Sequence, residues 1–287
     1  MSRIETPDPY ATDIAGLDSL DVPVAPAPSL ARNAWSSAWP VLAAIALALA
    51  TWQVIDWLNL KPDFTLPGPG KTFGAFWEHR SDLLKASAVT LRRAATGYGL
   101  ALLIGTLFGL IVVRNRTIRA AIGSLITGLQ TMPTIAWFPL TIVLFGLSET
   151  AILFVVVLGA APSIANGLIS GVDHIPPLLL RAGRVLGARG FSSYRHVIIP
   201  AALPGFVAGM KQGWAFAWRS LMAGELLVII AESRSLGSQL DFARTLTDIP
   251  WLIATMLVIL AIGILVDSLG FARAEMAIRK RWGLKVD

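Results

Sequence analysis

Ile175–Pro200 reads IPPLLLRAGRVLGARGFSSYRHVIIP, with four arginines (Arg181, Arg184, Arg189, Arg195), no acid, and long apolar segments on both sides. A basic connector between membrane spans belongs on the cytoplasmic side. Leu178, Leu179, Ala182, Val185 and Leu186 recur at helical spacing, which predicts a short amphipathic helix with Arg181 and Arg184 off its apolar face. Gly187 and Gly190 then interrupt. Ser192 or Ser193 is expected to cap a second turn, and Pro200 to open the next span. A connector with an apolar helical face reads as one shaped to dock.

Working outward, 55% of the 287 residues are hydrophobic and 15% are charged. A soluble domain carries roughly 25% charged residues. Windows of about 20 residues, long enough to cross about 30 Å of hydrocarbon, are almost free of charge. The fold class is all-α integral membrane, with six transmembrane helices at about 38–57, 89–113, 121–147, 150–171, 201–230 and 250–271. The net charge of +6 comes from basic residues that flank these spans, which speaks for membrane orientation and against nucleic acid. The absence of cysteine excludes disulfides, thiol catalysis and cysteine metal sites. His79, His174 and His196 are too scattered for a metal-ligand cluster.

The connectors set the orientation. Six spans return both termini to one side, and the inner segments then hold most of the basic residues, from Arg114, Arg116 and Arg119 to Arg279, Lys280 and Arg281. The outer segments keep only Lys61, Lys71, Arg80, Lys85, Arg234 and Arg244. Both termini are therefore expected in the cytoplasm. Residues 1–34, rich in Pro, Ala and Asp and without a signal-peptide pattern, read as a disordered cytoplasmic tail. Residues 276–287 read as a basic cytoplasmic tail.

Several local readings follow. GPGKT at 68–72 fails as a phosphate loop, because Thr65 stands where its first glycine is required. From Thr72 to Lys85, Phe73, Phe76, Trp77, Leu83 and Leu84 recur at helical spacing. That predicts a helix in the membrane interface or on the protein's own rim. Gly105-x-x-x-Gly109 in the second span permits close helix approach. Pro133 and Pro139 imply that the third span is kinked or broken, and residues 231–248 read as a polar outer loop.

RAGRVLGARGFSSYRHVIIPAALP (181–204) resembles the EAA loop of binding-protein-dependent ABC importer permeases. The family pattern falls on Arg181, Ala182, Gly183, then Gly187, then Val197, Ile199 and Pro200. Arg181 stands where Glu is usual, and Gly183 where a second Ala is usual. LPGPGKTF after the first span, MPTIAWFPLTIVLFGLSE in the third and WRSLMAGEL in the fifth resemble the nitrate/sulfonate/taurine/bicarbonate branch. The resemblance implies an importer transmembrane domain over residues 35–275 in a bacterial inner membrane, with its coupling loop at 175–200. In that loop Leu179, Arg181, Ala182, Gly183, Arg184, Val185, Leu186, Gly187, Ala188 and Pro200 are the expected ATPase contact. It also implies two ATP-binding subunits, a second permease copy as a homodimer, and a periplasmic or lipid-anchored substrate-binding protein. ATP and Mg would be held by the ATPase and no cofactor by this chain, which is then not an enzyme.

The expected cargo is an aliphatic sulfonate or a related small anion such as nitrate, taurine or bicarbonate. For such an anion, Arg219 with Lys211 and Gln212 would line the path beside the broken helix at Met132–Trp137. Gln130, Pro133, Trp214, Trp218 and Glu225 complete the candidate set. Arg219 and Glu225 read as the only full charges well inside a span. They are six residues apart, about 9 Å and on opposed faces, so they do not pair with each other. Equally, each would bind a neighbouring span or the partner permease, and Trp214 and Trp218 would simply pack. A carrier driven by an ion gradient would need intramembrane carboxylates, of which Glu225 is a single example. An integral-membrane enzyme would need a cluster of polar catalytic groups at one depth, and the sequence offers none.

Overall fold

The computed structural model describes residues 30–58, 65–114, 119, 123, 126, 128–230 and 233–281. The expected N-terminal tail lies outside the described residues up to position 29. The chain divides into two compact units between Val54 and Ile55. Most of the first described helix, α1 (Leu30–Trp57), belongs to the first unit. All described elements of the second are helical: α2 (Pro69–Glu78), α3 (Arg80–Arg114), α4 (Phe138–Phe145), α5 (Glu149–Asp173), α6 (Pro177–Val185), α7 (Ile199–Leu227), α8 (Leu236–Thr245), α9 (Ile249–Val266) and α10 (Ala272–Arg281). Among the described residues four helical stretches are long and apolar enough to cross a membrane: Ala38–Trp57, Arg80–Val113, Glu149–Asp173 and Ile249–Ile278.

The other two expected spans look different. The third is broken: residues 128–131 are helical, Pro133 is extended (φ −57°, ψ 128°), and a 3₁₀ turn at Thr134–Trp137 leads into α4. Pro139 falls in the first turn of α4, where its missing N–H leaves no hydrogen bond unmade. The fifth, α7, has 29 residues but carries Lys211, Arg219 and Glu225.

The core of the second unit is a layer of α3, α5 and α7 with α5 in the middle. Small residues allow it. A side-chain Cβ at Gly105 of α3 would fall 2.6 Å from the carbonyl oxygen of Ala161 in α5. On the opposite face of α5, Gly167 and Gly171 meet Gly209 and Gly205 of α7 backbone to backbone. A Cβ on Gly209 would lie 2.5 Å from the Cα of Gly167, so only glycine fits this crossing. Around the seam Ile152, Val155, Val156, Ile164, Trp214 and Leu221 are buried.

Two readings of the sequence need correction. The predicted interfacial helix over 72–85 is two elements. α2 ends at Glu78, and the segment from Arg80 onward is the start of α3, so the second span's helix begins well before residue 89. The two periodicities run on without a gap because His79 is a helix cap rather than a breaker. The outer loop at 231–248 contains α8, closed at its N-terminus by a reciprocal Ser235–Ser238 capping box. Its polar sequence hides a buried face of Leu236, Gly237, Ser238, Gln239 and Ala243. α10 carries the chain from Ala272 into the basic segment as far as Arg281.

Candidate functional site

The connector at 175–200 closes as a compact unit. α6 starts on Pro176 and Pro177 and ends in a reversal at Gly187 (φ +87°). The Ala188 N–H donates to the Gly183 carbonyl (2.9 Å) and the Gly187 N–H to that of Arg184 (3.1 Å). This pair of bonds is a Schellman motif, and its left-handed position explains why a glycine is needed there. Gly183 is the buried residue of α6, and a Cβ on it would press to 2.8 Å from Cγ2 of Val197. That contact accounts for glycine where the resemblance leads one to expect alanine: Val197 already fills the space.

The rest of α6 faces outward. Val185 and Leu186 are each 87% exposed, Leu178 is almost as open, and Leu179, Arg181, Ala182 and Arg184 are also exposed. Ala188 and Pro200 are half-buried. The second turn is not capped by a serine. Gly190 (φ +56°) precedes Phe191–Ser193, and Ser192 instead lies against His196. Pro200 does not open α7 from a loop either. A π-helical turn at Tyr194–Ile198, with the Ile199 N–H reaching the Tyr194 carbonyl, runs directly into it. The wider turn makes room for the proline ring, which would otherwise press on the carbonyl four residues back.

The candidate path residues do not converge on one site. Gln130, Met132 and Pro133 meet Arg219 around a pocket of about 310 Å³, with Thr131, Thr134, Gly159, Phe216 and Ala223. Trp137 packs against the core instead. Lys211 sits between Asp267 and Glu275, 3.7 Å from each, and Gln212 is exposed on α7 outside the pocket. Trp214 is buried edge-on to Tyr98 and stacked on Trp218 at 5.8 Å.

Glu225 is 1% exposed and belongs to a different network. Its carboxylate accepts from Arg93 Nη1 (3.1 Å), Thr90 Oγ1 (2.8 Å) and the Gly237 N–H (3.3 Å). Arg93, also 1% exposed, donates as well to Ser233 Oγ (2.6 Å) and Glu149 Oε1 (3.4 Å). One guanidinium thus joins α3, the start of α5, the end of α7 and the residues before α8. The sequence reading did not name Arg93 as the partner of Glu225. The signal was the Arg92-Arg93 pair within one α3 turn of Thr90, with nothing in the linear order to tie either to residue 225.

The chain's relatives fit this architecture. The model of the family described as "binding-protein-dependent transport system inner membrane component" matches residues 101–274. The chain is 28% identical over 235 residues to the taurine transport system permease protein of Escherichia coli, covering 79% of this chain and 82% of that one. It is 27% identical over 226 residues to the nitrate import permease protein of Synechococcus elongatus, covering 72% and 80%. Among solved structures, the inward-facing MetNI methionine ABC transporter aligns with a TM-score of 0.57 at 20% identity, over 68% of this chain and 95% of that one, a likeness of fold. The family match spans more than half of the chain, which therefore belongs to the inner-membrane components of binding-protein-dependent transport systems, as a permease of an ABC importer and not an enzyme.

Proposed function

We propose that this permease carries a small anion, an aliphatic sulfonate first and nitrate or bicarbonate next, and that α6 couples its path to a separate ATPase. Two copies of the chain, each with six spans and both termini in the cytoplasm, form the path between them. Two ATPase subunits with their ATP and Mg, and an external binding protein, complete the importer. The transmembrane domain is residues 35–275, flanked by the two cytoplasmic tails.

The observation that carries the coupling reading is the exposure of Val185 and Leu186 on a helix whose own fold does not use them. Apolar side chains this open, on a rigidly closed loop in a basic segment, suit a cleft in a soluble partner. The loop is anchored by Gly183 against Val197 and by the Schellman turn, so a push on α6 is passed to α7 without loss in a flexible linker. Each state of the ATPase pair would then favour one arrangement of the spans. The cargo reading rests on the taurine and nitrate relatives.

The test is Val185→Asp with Leu186→Asp in the complete importer. Membrane insertion and thermal stability of the permease should stay unchanged, because neither side chain is packed. Co-purification of the ATPase and ATP-dependent uptake of labelled taurine into liposomes should both be lost. Retained ATPase binding would remove α6 from the coupling role.

A further inference from the structure

The geometry points to an oxyanion subsite in the pocket at the broken helix, with Arg219 as its charge and Gln130 and Thr134 as neutral donors. It rests on the proposed anion cargo and gives that reading a place in the chain. Arg219 lies about 12 Å inside the C-terminal end of α7, at membrane depth. Its Nε donates to the Ala215 carbonyl (2.9 Å) and its guanidinium lies 4.8 Å over the Phe216 ring. These contacts orient the side chain without neutralising it. Among the described residues, no hydrogen bond or ion pair occupies its two terminal nitrogens.

A charge at that depth needs a counter-charge or water. The described acids cannot supply one. Asp267 and Glu275, inside the Ile249–Ile278 stretch, both lie on Lys211, Glu225 is taken up by Arg93, and the others are at helix ends, in connectors or on α8. A second copy of the chain in the same orientation brings the same residues at the same depths, so it adds no acid there from among the described residues.

Thr131 spends its O–H on the Gly128 carbonyl (2.7 Å), but two other polar groups of the pocket present protons. Gln130 Nε2 spends one N–H on Ser163 Oγ (2.9 Å) and keeps the other. Thr134 Oγ1 accepts from Ser220 (2.9 Å), which leaves its own O–H to donate. Met132, Leu129, Phe216 and Ala223 form an apolar wall beside them. A bidentate guanidinium with two neutral donors and an apolar wall matches a sulfonate or carboxylate head on a short hydrocarbon tail. Lys211, paired with Asp267 and Glu275, has no part in it.

The chain has no cysteine, so an introduced thiol is its only one, and reaction of the partner subunits is subtracted with the unsubstituted importer. Met132→Cys in the assembled importer is treated with 2-sulfonatoethyl and 2-(trimethylammonio)ethyl methanethiosulfonate, each rate normalised to that with 2-mercaptoethanol. The anionic reagent should react faster by on the order of tenfold. Arg219→Gln in the same background should bring the two rates level, and Arg219→Lys should keep most of the preference. Equal rates with Arg219 present, or no reaction with either reagent, would overturn the subsite. Labelled taurine and nitrate uptake is measured in parallel without the thiol. Anion preference with neither compound imported would retain the subsite and reject that cargo, whereas taurine uptake unaltered by Arg219→Gln would reject the subsite and leave the cargo standing.

Discussion

Arg93 and Glu225 illustrate how a buried pair responds to loss of one member. Glu225→Gln leaves a guanidinium in a site with 1% exposure and only the more distant Glu149 for charge. Such a change should cost about 3–5 kcal/mol, read as a fall in detergent melting temperature and in folded yield. Replacing both partners with methionine should cost much less, because no charge then remains to be buried. Thr247 is a second informative residue. It occupies the left-handed turn after α8 (φ +58°), with its N–H bonded to the Arg244 carbonyl and that of Asp248 to Ala243. A β-branched residue is strained there, so Thr247→Gly should stabilise the protein by about 1 kcal/mol. At Gly187 the same geometry is already served by glycine. Gly187→Leu should lower transport through a displaced α6 while the spans stay folded, as judged by uptake set against detergent melting. Gly187 was legible in the sequence because a local rule demands it. Arg93 was not, because its role is set by where α3 and α7 meet.

At the level of elements, legibility followed the origin of the signal. The connector helix, the broken third span and the long apolar helices are each dictated by their own residues: spaced leucines, paired prolines, absent charges. α8 was missed since its sequence is polar, and what makes it a helix is a capping box and a docking partner, with the Gly237 N–H bonded to Glu225 across the fold. The α5–α7 crossing shows the same limit. Its glycines recur every four residues at Gly205, Gly209 and Gly213, but nothing in the linear order ties them to Gly167 and Gly171. Gly209→Val would force the two backbones apart. We expect it to abolish folded permease, whereas Gly70→Ala, on open α2, should be silent in the same expression and melting assays.

For the whole molecule, charge distribution carries the orientation. The cysteine-free background allows a direct check. Ala188→Cys should be labelled by an impermeant maleimide only from the cytoplasmic face, and Arg244→Cys only from the outside. Labelling of both from one side would refute the proposed topology.

The glycine crossing has one more consequence. Two helices in backbone contact over several turns act as a single beam, and α5 alone is about 37 Å long. A beam of that length tilted by roughly 5° about one end moves its far end by about 3 Å, the width of a water molecule. On the proposed topology, leverage of this kind would let a small displacement beneath the membrane decide whether a channel near the opposite surface is wet or dry.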